Sequence, residues 1–197
     1  MPVDMELWRR LKDEAYRRVL EDIEIGYMDS DIVDVILLLF KRKYSFTTSS
    51  CSGRITIVDA VMPWKRKDST VILKKHSTVG IDDVVKYLSE VPVSRLWLIV
   101  TGPIIHVNSA KLSEAREVIK IARNSGFKHS GIMSMSKKGI ISELRTGIRI
   151  AQLLKDKERL YVSKDDLEGV LRIFNEALLE GKKRLKRLEE NLRRSMS

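Results

Sequence analysis

The residues best equipped for chemistry in this chain are Thr47-Thr48-Ser49-Ser50-Cys51-Ser52-Gly53-Arg54, followed by Asp59 and His76. Ser49, Ser50 and Ser52 bring hydroxyls that both donate and accept hydrogen bonds. Gly53 can take positive φ and let a ligand approach the backbone. Arg54 adds a planar fork suited to a carboxylate or a phosphate. A polar surface turn followed by an exposed arginine has the same composition. Asp59 and His76 are the side chains able to take a proton from a reacting group. An aspartate at a strand end equally caps a turn, and His76 equally fits a surface position. Trp64 lies among Lys65, Arg66 and Lys67, where an indole could stack on an unpaired base while the cations hold phosphates, or could cover a sheet edge.

Other chemistries find little footing. Cys51 is the only cysteine, so no intramolecular disulfide can form, which fits a reducing compartment. No histidine adjoins Cys51 in sequence, and the Cys-x-x-Arg spacing is too short to wrap a phosphate. Three scattered histidines and one cysteine show no metal-ligand spacing, so no metal is expected. His106, set in an apolar strand, reads as a packed core histidine, and Trp97 between leucines as core. No strand ends in a Gly-x-Gly-x-x-Gly turn, so a Rossmann-type nucleotide site has no support.

Charge narrows the partners. The net charge of +10 is unevenly placed. Residues 1–40 carry five basic and ten acidic side chains, residues 41–76 nine and two, and residues 181–197 seven and two. The two basic segments, the second including Lys182 and Lys183, suggest a polyanion, with nucleic acid first, although lysine and arginine also solvate thermophilic surfaces. Four Asn and one Gln among 197 residues suit such a surface. The N-terminus does not read as a signal peptide, and the apolar runs are too short to span a membrane.

The elements that must position these residues follow from periodicity. A helix is predicted from about Asp4 to Glu24, with Leu7, Leu11, Ala15, Val19 and Ile23 on one stripe. Ser30 is predicted to cap a second helix carrying Ile32, Val35, Ile36, Leu39 and Phe40. The stretch from Tyr44 begins as a strand and residues 55–59 alternate as a second, so Ser49 to Gly53 reads as a hairpin tip. Thr70 to Lys74 is a third strand that delivers His76. If the second and third strands pair antiparallel, Arg54 and His76 share one sheet end and Asp59 lies at the other. A short helix at Asp82–Val91, strands at Leu96–Val100 and Ile104–Val107, and a helix capped by Ser109 and closed by Asn124-Ser125-Gly126 follow. Phe127–Ser136 and Ile140–Thr146 read as strands joined by a Lys-Lys-Gly turn. Residues 147–162 fit strand or helix. Ser163 and Asp166 resemble a capping box opening a long helix over 163–195, whose leucine stripe would pack on the first helix or on another subunit. The expected fold is α+β, a mixed, largely antiparallel sheet with packed helices and a long basic C-terminal helix, in one domain spanning 1–197.

The run Thr47 to Arg54, with Asp59 five residues on, resembles the tRNA wybutosine-synthesising methyltransferases, the archaeal proteins and the third enzyme of the eukaryotic wybutosine pathway. Lys74-Lys75-His76, Pro103-Ile104-Ile105-His106-Val107, Ser125-Gly126-Phe127-Lys128-His129-Ser130-Gly131-Ile132 and Arg145-Thr146 continue the likeness over nearly the whole chain. Ser52 stands where some relatives carry alanine, which argues against an essential hydroxyl there.

The resemblance implies an enzyme, not of Rossmann build, that moves the methyl group of S-adenosyl-L-methionine to a ring nitrogen of 7-(3-amino-3-carboxypropyl)-4-demethylwyosine, beside the anticodon of tRNA-Phe. Under it, Ser49, Ser50, Ser52, Gly53 and Arg54 hold the cofactor. Thr47, Trp64, Lys65, Arg66, Lys67, Lys74, Lys182 and Lys183 face the tRNA. His76 or Asp59 takes the proton. Cofactor and base both carry an aminocarboxypropyl group, so which carboxylate Arg54 would hold stays open. A cytoplasmic protein is implied, with a monomer favoured. The alternative is a non-catalytic RNA-binding protein using only the basic faces.

Overall fold

The structure, a computed structural model, describes residues 2–65 and 67–196. Among the described residues five helices are formed: α1 (Met5–Glu24), α2 (Ser30–Lys41), α3 (Ile81–Leu88), α4 (Leu112–Asn124) and α5 (Lys164–Arg194). The same described residues form eight strands: β1 (Ser45–Cys51), β2 (Arg54–Asp59), β3 (Thr70–Lys75), β4 (Leu96–Thr101), β5 (Ile104–Ser109), β6 (Gly131–Ser136), β7 (Gly139–Arg145) and β8 (Arg149–Lys155). They form two four-stranded sheets, ordered β1-β5-β7-β6 and β3-β2-β4-β8. Each ladder is antiparallel. The fold is therefore α+β without a parallel βαβ crossover.

The chain divides into two compact units. Unit 1 holds Met1–Ser52, Pro103–Gly147 and Lys182–Ser197, and unit 2 holds Gly53–Gly102 and Ile148–Gly181. Each has its own core. In unit 1, Trp8, Ile36, Leu39, Phe46, Val107 and Phe127 are packed together with Leu185, Leu188 and Leu192 of α5. In unit 2, Ile55, Ile57, Leu98, Val100 and Leu154 meet Leu167, Leu171, Phe174 and Leu178 of the same helix. The leucine stripe of α5 thus stays within its own chain, one half in each core. Among the described residues no helix is long and apolar enough to cross a membrane.

Local chemistry explains where the elements begin and end. Asp4 caps α1, its carboxylate accepting from Glu6 N and Leu7 N at 3.1 Å each. Ser163 and Asp166 form the expected box in variant form: the Ser163 hydroxyl accepts from Asp166 N at 3.0 Å and donates to the Asp166 carboxylate at 2.6 Å. A buried ionic group anchors α2 to α4. Arg42 Nε donates to Glu114 at 2.6 Å and the Ser45 hydroxyl donates to the same oxygen at 2.7 Å. Burial alone would raise the Glu114 carboxyl, but those hydrogen bonds from Arg42 and Ser45 outweigh it and hold it below its ordinary value.

Several expectations are corrected. The Ser49–Gly53 hairpin does not exist: β1 pairs with β5, whereas β2 pairs with β3 and β4. Alternation identifies strands but does not name their partners, and here Gly53, at φ 95°, passes the chain from one sheet to the other. Ser30 is the first helical residue, and Asp29 holds the cap position without capping, because its carboxylate is engaged by Ser52. Ser109 ends β5, buried, with its hydroxyl 3.5 Å from that of Ser45, and Lys111 precedes α4. Residues 127–130 turn before β6, where the Ser130 hydroxyl donates to Phe127 O at 2.5 Å. The ambiguous segment forms β8.

Candidate active site

Chain order through Thr47 to Arg54 spans the step from unit 1 to unit 2. In unit 1, Thr47 is buried opposite Val107, and a bulge follows it, so that Ser49 rather than Thr48 stands opposite His106. His106 in turn faces Glu143 on β7. The Ser49 hydroxyl lies 2.7 Å from His106 Nδ1, and His106 Nε2 lies 3.3 Å from a Glu143 oxygen. A carboxylate only accepts, so Nε2 carries the hydrogen and Nδ1 accepts from Ser49 in the neutral ring. Ser49 thereby turns its oxygen lone pairs away from the histidine. Ser50 is exposed, and Cys51 is half-buried and free.

Ser52 is differently placed. Its side chain is fully buried, and its hydroxyl donates to Asp29 at 2.8 Å while accepting from Lys182 Nζ at 2.8 Å. Lys182 is also 2.5 Å from Asp31. Ser52 and Lys182 therefore hold each other, whereas Lys183 is exposed.

In unit 2, Arg54 opens β2 and is exposed, and among the described residues no hydrogen bond or ion pair is formed by its guanidinium. The β2–β3 register sets Ile55 opposite Lys75, so His76 follows at the same sheet end as Arg54. His76 Nδ1 lies 2.9 Å from Gly53 O. A carbonyl cannot donate, so Nδ1 carries the hydrogen and Nε2 is the basic nitrogen of the neutral ring. Lys75 beside it pairs with Asp83 at 2.7 Å. That bond, with Gly80 N–H, holds the Asp83 carboxyl below its usual range.

Asp59 sits at the opposite end of the ladder, facing Thr70. It is buried, and its carboxylate accepts from Val93 N at 2.6 Å, Ser94 N at 2.8 Å and Arg95 N at 3.1 Å. The sequence alternative of a capping aspartate describes this geometry. Trp64 is exposed, as are Lys65, Lys67 and Lys74; Arg66 lies outside the described residues. Among the described residues no group of three or more metal-ligating side chains occurs.

Sequence reasoning missed the Ser49–His106–Glu143 row. The signal for His106 was there: Ile105 and Val107 are buried, and the residue between them must face the other side of the sheet. The bulge that aligns Ser49 with it leaves no mark in composition. Trp97 is likewise half-buried, donating its indole N–H to Ala60 O at 3.1 Å.

Taken by itself, unit 1 offers acceptor oxygens at Ser49, and unit 2 offers a donor fork at Arg54 at the sheet end where His76 holds a basic imidazole nitrogen. The sequence profile of the family described as Methyltransferase TYW3 matches residues 6–194. A Saccharolobus solfataricus protein named tRNA(Phe) 7-((3-amino-3-carboxypropyl)-4-demethylwyosine(37)-N(4))-methyltransferase is 44% identical over 189 residues, covering 95% of this chain and 90% of that protein. A Pyrococcus furiosus protein of the same name, numbered 1, is 32% identical over 95% of each chain. The solved structure of a Pyrococcus horikoshii protein superimposes with a TM-score of 0.89 at 30% identity, covering 96% of this chain and 97% of that one. With a match over nearly its full length, the chain belongs to the Methyltransferase TYW3 family.

Proposed function

We propose that this protein is an S-adenosyl-L-methionine-dependent tRNA methyltransferase, acting on N4 of 7-(3-amino-3-carboxypropyl)-4-demethylwyosine beside the anticodon of tRNA-Phe. The observation that carries this reading is 44% identity over 95% of the chain to a protein named for that reaction. Acting on tRNA, the protein belongs in the cytoplasm, and 1–197 constitutes the methyltransferase domain.

The residues fit the cofactor's polar tail. In unit 2, Arg54 offers N–H donors suited to the carboxylate that an aminocarboxypropyl group carries, and in unit 1, Ser49 by itself offers lone pairs suited to an ammonium. Ser50 and Gly53 supply a further hydroxyl and a backbone that a ligand can approach. Ser52 acts by positioning, through Asp29 and Lys182. S-adenosyl-L-methionine, when bound, supplies a methyl group on a sulfonium that leaves as a neutral thioether. The attacking ring nitrogen forms the new bond to that carbon and must release one proton. His76 Nε2 is suited to take it, since Nδ1 is held as the donor by Gly53 O. Asp59 keeps the 93–95 loop in place. Orientation supplies most of the acceleration in such a displacement. Trp64 stacks on the tRNA, with Lys65, Arg66, Lys67, Lys74 and Lys183 on phosphates.

Calorimetry with S-adenosylhomocysteine should give one site per chain. Incubation with S-adenosyl-L-methionine and tRNA-Phe bearing the demethylated base should add one methyl group by mass spectrometry. Binding to tRNA without cofactor heat or methyl gain would instead leave a non-catalytic RNA-binding protein.

A further inference from the structure

Register places four residues in line across one end of the second sheet. Arg54 on β2 is opposite Thr101 on β4, and Thr101 is opposite Arg149 on β8. Residues directly opposite in an antiparallel ladder project from the same face. His76 follows Lys75, the residue opposite Ile55, and so extends the line past Arg54. The next row, Ile55–Val100–Ile150, turns to the core on the other face. The Arg54–Thr101–Arg149 row therefore points away from the core, with both arginines exposed.

We propose that Arg54 and Arg149 form a two-guanidinium cradle for one oxyanion, a carboxylate or a phosphate, with the Thr101 hydroxyl between them as a third donor. Arg54 has no ion-pair partner among the described residues, and Arg149 gives only a long bond, 3.5 Å, to Pro63 O. No acidic residue belongs to the row: Asp59 lies at the far end of the ladder, and Asp83 is taken by Lys75. Two guanidiniums flanking a hydroxyl would repel each other without an anion to share. Each guanidinium has in-plane N–H groups to spare, and both stems are long enough to converge over the threonine. The row also ends beside His76, so an anion held there keeps its neighbouring atoms near a basic nitrogen. The choice of anion rests on the methyltransferase reading, under which three sources share this chemistry: the cofactor's carboxylate, that of the modified base, and a tRNA phosphate.

Arg149→Ala and Arg149→Lys separate these sources. S-adenosylhomocysteine and methylthioadenosine, which lacks the aminocarboxypropyl group, are titrated into each protein. Loss of about tenfold or more in affinity for the first with no change for the second assigns the cofactor's carboxylate. Unchanged affinity for both, with weaker binding only of tRNA carrying the aminocarboxypropyl base, assigns the base. A uniform loss on all tRNAs, with the salt slope reduced by about one, assigns a phosphate. Arg149→Lys should recover only part, because an ammonium lacks the fork. If neither variant changes any of these, the cradle is overturned. If the wild-type protein binds no nucleoside and no tRNA, the methyltransferase reading has failed, and inorganic phosphate then decides the cradle. Saturable amide shifts at Thr101 and Arg149 that Arg149→Ala abolishes would keep it, and their absence would overturn it.

Discussion

Replacing Asp59 by asparagine separates an anchor from a base. The carboxylate accepts Ser94 N and Arg95 N on one oxygen and Val93 N on the other. An amide oxygen can keep the first two bonds, though as neutral rather than charge-assisted ones. Its NH2 group then faces the Val93 N–H, donor against donor. Losing one charge-assisted bond costs about 1.5–3 kcal/mol, and weakening two more adds about 1 kcal/mol. Val93 is exposed, so water can satisfy its N–H and the lower half of that range is expected. At an m-value of about 2–3 kcal/mol/M, the urea midpoint of unit 2 should fall by about 1 M. Hydrogen exchange at the amides of Val93, Ser94 and Arg95 should accelerate together. Single-turnover methyl transfer, measured well below the melting transition, should stay within a few-fold of wild type. A rate loss of about 100-fold with stability and amide protection intact would refute the anchor and make Asp59 a reacting group.

His76→Gln should slow single-turnover methyl transfer by about 100-fold or more without weakening S-adenosylhomocysteine binding; an unchanged rate would leave the proton to water. Ser52→Ala should destabilise unit 1 by about 1–3 kcal/mol in urea, since Asp29 and Lys182 lose their shared hydroxyl in a buried setting. The Glu114 carboxyl is held below its ordinary value of 4.5, so the stability it contributes is complete above that pH and is lost as pH falls through its lower folded value. The acid limb of unit 1 unfolding should therefore flatten in Glu114→Gln. Neutralising Lys183 should reduce the salt slope of tRNA binding by about one, read from filter binding across salt.

Much of this molecule is legible before folding. The stripe of α1, the box at Ser163 and the apolar run of β4 each follow from local spacing, and the structure places them within a residue or two. The relation of Arg54, His76 and Asp59 along the β2–β3 ladder also follows from strand order alone. The partner of β1 does not, because alternating residues satisfy any neighbouring edge, and its pairing with β5 links residues far apart in sequence. The Ser49–His106 contact depends on a bulge that adds no distinctive residue type. Asp29 illustrates a competition: it sits where a cap belongs, but Ser52, distant in sequence, engages its carboxylate. Long-range partners of this kind are invisible to local patterns.

The division of α5 between two cores has a consequence for synthesis. The core of unit 1 contains Trp8 from the first helix and Leu185, Leu188 and Leu192 from the last. A chain emerging from the ribosome holds the early helices long before it holds the residues that close this core. Unit 2 draws on Gly53–Gly102 and Ile148–Gly181 and is complete first, though its pieces come from the interior of the chain. Folding of unit 1 must therefore wait until the second half of α5 has been synthesised, with the apolar faces of α1 and α2 uncovered in the interval. No single cut yields either unit as one continuous piece, and removing α1 or the second half of α5 takes away part of the unit 1 core while leaving the strands of the second sheet intact.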